Sequence, residues 1–344
     1  MLVSISGGAG FLGLHLSRSL LARGVGVRTL DLAPLADADL EGPIEQLRGD
    51  VRDPVACAQL VAGADVLVHA AAALPVHASQ QSITSVNVGG TAVVLAAALE
   101  ARVGRAVMIS SSAVYGVPER HPIHEDDPLF GVGWYGASKI EAEEVTRAFG
   151  ERGLPFVIVR PKTFVGPERL GVFEILFDWV REGRRIYTLG SGENRYQLLA
   201  VEDLVDAIVR SFTAAGVVGE ALNVGAAGFG TVRQDLGSLI DHANSSSRLT
   251  PVPVRPAEAA LRALELLRLS PLAEWHYRTA HRDSFVSTQK AERLLDWRPR
   301  LSNEQTLIET YDWYLANRGR LGATGTTHRA PWNQQALGLL KRLS

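Results

Sequence analysis

From Met1 to Arg160, short and largely apolar runs alternate with longer stretches whose apolar residues recur at helical spacing. The short runs are Leu2–Ser6, Gly26–Leu30, Asp65–Ala70, Ala106–Ser110 and Phe156–Arg160. They are rich in β-branched residues and lack polar alternation, so they predict strands buried on both faces. Phe11–Arg23, Asp53–Ala62, Val86–Ala101 and Trp134–Glu151 carry the length and pattern of helices. A further short strand is expected just before Asp50. Strand–helix alternation predicts right-handed crossovers and a parallel sheet covered on both sides. The expected fold class is therefore α/β, a doubly wound parallel sheet.

After Arg160 the pattern loosens. Pro161, Gly166 and Pro167 punctuate a loop. Val172–Gly183 then predicts a helix, Arg185–Leu189 a strand and Val201–Ala215 a helix. Ser245–Pro256 is polar and Pro-rich and is expected to be a connection, followed by helices at Ala257–Leu269 and Gln305–Asn317. Residues 1–160 are expected to form a dinucleotide-binding domain whose sheet receives further strands from later segments. Residues 161–317 would form a smaller α/β substrate-binding region, and 318–344 an extension ending in an amphipathic helix.

Composition narrows the function classes. The 344 residues include 35 Lys and Arg against 37 Asp and Glu, a net charge of −2, which argues against nucleic acid as the main partner. The one cysteine, Cys57, excludes a disulfide framework within the chain and suits a small buried hydrophobe. With a strand and glycine turn at the start, no signal peptide is expected. Charges, Pro or Gly break the apolar runs before they reach the length of a membrane span, so none is expected. A soluble, cytoplasmic protein is the expectation.

Chemistry enters at Ser6-Gly7-Gly8-Ala9-Gly10-Phe11-Leu12-Gly13, which follows the first strand and opens a helix. Gly7, Gly10 and Gly13 permit a tight turn, approach of pyrophosphate to backbone and close helix–strand packing. Asp31 ends the second strand, the one that follows this helix. A carboxylate there accepts from ribose hydroxyls and repels a 2′-phosphate, which favours NAD over NADP. Asp50 and Val51 are candidates to hold the adenine, with Asp53 capping the following helix and Pro54 at its first position. Tyr135 and Lys139, four apart in a predicted helix, share one face. A phenol is a poor base at neutral pH, and a neighbouring ammonium is expected to pull its pKa down. Upstream of this pair, Ser110-Ser111-Ser112 ends a strand at the sheet edge where ligands bind in open α/β folds, which offers a Ser hydroxyl to a reacting oxygen beside Tyr135.

Taken together, these pieces resemble the extended short-chain dehydrogenase/reductase family, in its branch of NAD-dependent nucleotide-sugar epimerases and dehydratases. The matching segments are Gly7 to Gly13, His69-Ala70-Ala71-Ala72, Asn87-Val88-Gly89-Gly90-Thr91 and Ser111-Ser112-Ala113-Val114-Tyr115-Gly116. Tyr135 to Lys139, Arg160-Pro161 with Gly166-Pro167, Asn223-Val224-Gly225 and Leu295-Asp296-Trp297-Arg298-Pro299 complete them. The resemblance implies a Rossmann-type fold and a catalytic Ser111, Tyr135 and Lys139. It implies tightly bound NAD held also by Phe11, Leu12, Ala70, Ala71, Tyr135, Lys139 and Pro161. It further implies a nucleotide-sugar substrate, UDP-linked, met by Ser112, Tyr135, Thr163 and Arg195. A homodimer formed through helices Val86–Ala101 and Trp134–Glu151 is expected on the same ground.

Three departures bear on the substrate. The family's dehydratases follow the catalytic Thr with Asp-Glu, whereas Ser112 and Ala113 stand here, so elimination of water is disfavoured. The position of a diphosphate-contacting Asn is Thr163, with Lys162 beside it as an alternative cation. The Arg-Asp-Tyr-Ile-His-Val segment becomes Arg195-Tyr196-Gln197-Leu198-Leu199-Ala200-Val201, which displaces Arg195 by one residue. A C4 epimerase of a UDP-hexose or UDP-hexuronic acid is expected, with a net NAD-dependent dehydrogenase or reductase of a secondary alcohol as the alternative. His69 is read as a satisfied core or cofactor-lining residue. His77, His121 and His124 lack metal-ligand spacing, and no metal site is expected.

Overall fold

The computed structural model describes residues 1–344 except 36, 38–39, 41, 75–77, 268, 270–273, 321–328, 330–337, 339–340 and 342–344. His77 and most of the expected terminal helix lie outside the described residues. Seven strands form one parallel sheet: β1 (Leu2–Ser6), β2 (Gly26–Asp31), β3 (Glu45–Arg48), β4 (Val66–His69), β5 (Arg105–Ile109), β6 (Phe156–Pro161) and, after three short strands, β10 (Ala221–Val224). Their spatial order is β10-β6-β5-β4-β1-β2-β3. The chain thus winds outward from β1 to β3, then returns to build the other half from β4. The strand order reverses beside β1, where a crevice opens at the carboxyl edge.

The apolar runs are continuous because the sheet has no wet face. Val3, Ile5, Leu67, Val68, Val107 and Val157 are fully buried. Helices α1 (Phe11–Ala22), α7 (Val201–Ser211) and α11 (Gln289–Leu295) cover one side with Trp297. On the other side lie α2 (Pro54–Val61), α4 (Thr91–Glu100) and α5 (Gly133–Glu151). The segment before α4 is already helical, from α3 (Gln80–Thr84) through a wider π turn at Ser85–Gly90. The composite helix Gln80–Glu100 is long and apolar enough by composition to cross a membrane. In this fold Val94, Leu95 and Ala98 are fully buried beneath it, as a sheet-covering helix requires.

The second cluster of elements comprises the short parallel pairs β7 (Thr163–Val165) with β9 (Leu198–Ala200), and β8 (Ile186–Leu189) with β11 (Leu249–Val252). These are covered by α6 (Val172–Arg181), α8 (Val232–His242) and α12 (Asn303–Asn317). The expected connection at Ser245–Pro256 is corrected: it carries β11 and the start of α9 (Val254–Leu266). Pro251 is tolerated because β11 pairs on one side only, and Pro256 because the first helical turn needs no N–H donors. Helix α10 (Glu274–Thr279) follows α9. Between the two halves, buried Asp203 accepts from the backbone of Arg300 and Leu301, while the Trp297 indole donates to its carbonyl at 3.0 Å. That stitch is the structural meaning of the Leu-Asp-Trp-Arg-Pro segment.

Candidate active site

The glycine turn between β1 and α1 is shaped by close backbone approach. Gly7 has φ +79°, and a Cβ there would lie 2.7 Å from the Ala71 amide nitrogen, so a side chain is excluded twice over. Asp31 holds the turn from across the crevice, accepting from Ala9 N and Ala33 N, each at 3.0 Å. A carboxylate has lone pairs beyond those two bonds, and Asp31 lines the cavity described below. Arg28, the nearby cation that could have favoured a phosphorylated ribose, is turned away. It pairs with Glu45 at 2.6 Å and donates to the carbonyls of Leu60 and Ala62. Asp50 is clasped by Arg52, whose guanidinium holds its carboxyl below the ordinary value. Asp53 caps α2 through Val55 N, with Pro54 at the first helical position.

A cavity of about 970 Å³ runs from this turn across the ends of β4, β5 and β6. Every residue expected from sequence to hold cofactor, substrate or reaction lines it, with the exception of Arg195. Ser111 leaves β5 and caps a short turn, accepting from Ala113 N at 3.1 Å. That turn packs tightly on the start of α5. A Cβ on Gly136 would stand 2.9 Å from the Ala113 carbonyl oxygen. The close fit brings Ser111 to Tyr135, one position before Gly136 on the same helix.

Burial pushes the Tyr135 phenol up to about 12, opposed by a hydrogen bond with the Ser111 hydroxyl and by the positive charge of Arg169. Lys139 is the residue expected from sequence to pull the Tyr135 pKa down. Its ammonium donates to the Ile109 carbonyl at 3.0 Å and stands 5.9 Å from the Tyr135 ring centroid. Burial itself brings Lys139 down to about 8, against the pull of Glu143. His69 bonds Ser6 Oγ at 2.6 Å and Thr91 Oγ1 at 2.9 Å, and burial lowers its pKa to about 3. It is a neutral, satisfied core histidine. Cys57 donates to the Val51 carbonyl, and burial raises its thiol to about 11.

The remaining motif residues hold this arrangement in place. Glu143, one turn beyond Lys139, accepts from Ser110 Oγ at 2.6 Å and from Arg160 Nε and Nη2 at 2.8 and 2.6 Å. Arg160 also donates to Tyr115 Oη at 2.7 Å, and Tyr115 donates to Asn223 Oδ1 at 2.8 Å. One buried network thus locks α5 to β5, β6 and β10. Asn87 in the π turn clamps the loop after β4, bonding Ala73 N and O at 2.7 and 3.2 Å and donating to Ser138 Oγ at 3.0 Å.

On the far wall, Thr163 Oγ1 lies 3.3 Å from Tyr196 Oη, and Lys162 donates to Ser284 Oγ at 2.6 Å. The one-residue displacement has a visible consequence. Tyr196 faces the cavity, while Arg195 points elsewhere, its guanidinium between Phe229 and Phe285 at 4.6 and 4.8 Å. Placing Arg195 against the substrate is therefore corrected, because adjacent residues of an extended segment project to opposite sides. Two cavity cations have no repeating sequence signal, Lys162 and Arg169. The first was visible beside Thr163. The second was missed.

The fold and the turn define an α/β protein built to hold a dinucleotide, with a Ser–Tyr–Lys cluster facing it. Residues 3–225 match the model of the NAD dependent epimerase/dehydratase family, and the chain belongs to that family. It is 38% identical over 338 residues to the uncharacterized protein y4nG of Sinorhizobium fredii, covering 98% of this chain and 84% of that one. The fold is similar to UDP-glucose 4-epimerase with UDP-glucose from Thermotoga maritima, with TM-score 0.78 and 21% identity, covering 92% and 100% of the two chains. It is also similar to the dTDP-glucose 4,6-dehydratase DesIV of Streptomyces venezuelae with NAD bound, with TM-score 0.77 and 28% identity, covering 93% and 98%. NAD is the family's cofactor. The bare backbone at Gly7, the cavity-lining Asp31 and the diverted Arg28 fit it.

Proposed function

We propose that this chain is an NAD-dependent nucleotide-sugar epimerase, interconverting C4 epimers of a UDP-hexose or UDP-hexuronic acid through a transient 4-keto sugar. The observation that carries the reading is the Ser111, Tyr135 and Lys139 cluster facing one cavity with the dinucleotide turn, while Ser112 and Ala113 offer no acid–base pair for eliminating water. Gly7, Gly10, Phe11, Leu12, Gly13, Asp31, Asp50, Val51, Ala70, Ala71 and Pro161 hold the cofactor. Bound NAD supplies a site that accepts a hydride and gives it back. Tyr135 Oη takes and returns the proton of the C4 hydroxyl, Ser111 orients the C4 oxygen, and Lys139 binds the nicotinamide ribose. Ser112 and Thr163 meet the sugar. The protein works in the cytoplasm as a homodimer joined through α4 and α5.

The test is product analysis after incubation with UDP-, GDP-, CDP- and dTDP-sugars, with no cofactor added. The expected result is a C4 epimer of a UDP-sugar at its equilibrium ratio. Tyr135→Phe should slow its formation by about 10²–10⁴-fold, the ordinary contribution of a positioned acid–base group. The displacement of Arg195 from the cavity favours a second reading, a net NAD-dependent oxidoreductase of a secondary alcohol. For that reading the result is no epimer, and one NADH per substrate once NAD is supplied.

A further inference from the structure

Arg169 follows the Gly166-Pro167 turn and lines the cavity while only 6% exposed. Its guanidinium is wedged among the rings of Phe11, Phe164 and Phe173, at 5.3, 5.5 and 6.0 Å. The rings of Phe11 and Phe164 lie parallel, 5.8 Å apart. Aromatic faces satisfy the flat sides of a guanidinium but leave its N–H donors unserved. Here Nε and Nη1 are buried without a hydrogen-bond partner among the described residues. The adjacent carboxylate does not serve them, because Glu168 pairs with Arg18 and Arg329. A buried cation with unmet donors destabilises a fold unless something else completes it.

Two further facts say what completes it. Phe11, one of the rings holding Arg169, is the first residue of α1, where helix amides already favour anions. The charge of Arg169 is also felt by Tyr135, so it acts toward the reacting end of the cavity. We propose that Arg169 is the receptor for an oxyanion of a bound reactant, a phosphoryl or carboxylate oxygen accepting from its free N–H groups. The proposal deepens the nucleotide-sugar reading and rests on it only for the sugar ligands.

The test compares wild type, Arg169→Met and Arg169→Lys by calorimetric titration with NAD, UDP, UDP-glucose and UDP-glucuronate. Inorganic pyrophosphate serves as a bare oxyanion probe in thermal shift. In Arg169→Met, affinity should fall about tenfold or more for each ligand whose oxyanion the residue holds. A loss with NAD assigns the cofactor's pyrophosphate. Equal losses with UDP and both sugars assign the nucleoside diphosphate, and a loss confined to UDP-glucuronate assigns the sugar carboxylate. Arg169→Lys should recover part of the loss, and ligand-free Arg169→Met should melt above wild type, which a merely structural arginine would not allow. Affinities within about twofold of wild type for every ligand, with an unchanged pyrophosphate shift, would overturn the proposal. If wild type binds NAD but no UDP ligand, the nucleotide-sugar reading fails separately, and the NAD and pyrophosphate arms still decide Arg169.

Discussion

Three cations stand buried in one cavity, and their different partners give them different behaviour. Lys139 is anchored to the Ile109 carbonyl and attracted by Glu143. Among the described residues Lys162 meets the Ser284 hydroxyl and the face of Tyr196, 4.9 Å from its ring centroid, and burial lowers it from 10.5 to about 7. Between those two values the unfolded chain binds more protons than the folded one, so this residue makes stability rise with pH across that window. Lys162→Met should therefore melt above wild type near pH 6, and the advantage should shrink as pH approaches 10. Thermal denaturation across that range checks it; a difference independent of pH would mean that the ammonium is not the costly group. Tyr135 and Lys139 were legible because two chemistry-bearing residues four apart on a helix form a pattern. Lys162 and Arg169 follow a strand and a turn singly, where a buried and a solvated cation look alike in sequence. Arg195 misled because its residue type matched while its side of the segment did not.

At the scale of elements, α5 is held by charge rather than by apolar contact alone. Its Glu143 and the Arg160 of β6 are both about 2% exposed in their side chains and paired at 2.6 Å. A pair of this kind contributes little over an apolar replacement, but removing one partner strands a charge. Arg160→Met should cost about 3–5 kcal/mol in urea unfolding. The double variant Glu143→Gln with Arg160→Met should recover a good part of it. If the double variant is as unstable as the single, the cost lies in packing around Tyr115 instead. The long elements of the sheet were legible because strands buried on both faces read as unbroken apolar runs. Strands β7 and β9 are too short to show a period, and β10 was visible only as a motif. Helix α8 did carry a signal, the Thr231–Gln234 capping box, which the structure forms.

On the scale of the whole molecule, distant parts of the chain close on the first turn. His15 of α1 bonds the Pro167 carbonyl at 2.9 Å, and Arg18 joins Asp37 to Glu168. From the C-terminal extension, Arg329 donates to the Ala9 carbonyl at 3.2 Å and meets Glu168 at 3.5 Å. Lys341 reaches back to Asp178 and Glu182 on α6 and just beyond it. Ala9 lies between Gly7 and Gly10 of the glycine turn, so the extension touches that turn itself. Nothing in the tail's sequence pointed there, since one Arg in a Gly-containing segment shows no period. The bond from Arg329 fixes a carbonyl in the glycine turn that would hold the dinucleotide. Arg329→Ala should therefore weaken NAD binding by about 0.5–1.5 kcal/mol, the ordinary net worth of one hydrogen bond. Its effect on global melting should be small, because Glu168 keeps Arg18 as a partner. Calorimetric titration with NAD beside a melting curve separates the two. Lower stability with unchanged NAD affinity would make the extension a brace for the fold, whereas weaker binding on an intact fold makes it part of the cofactor site.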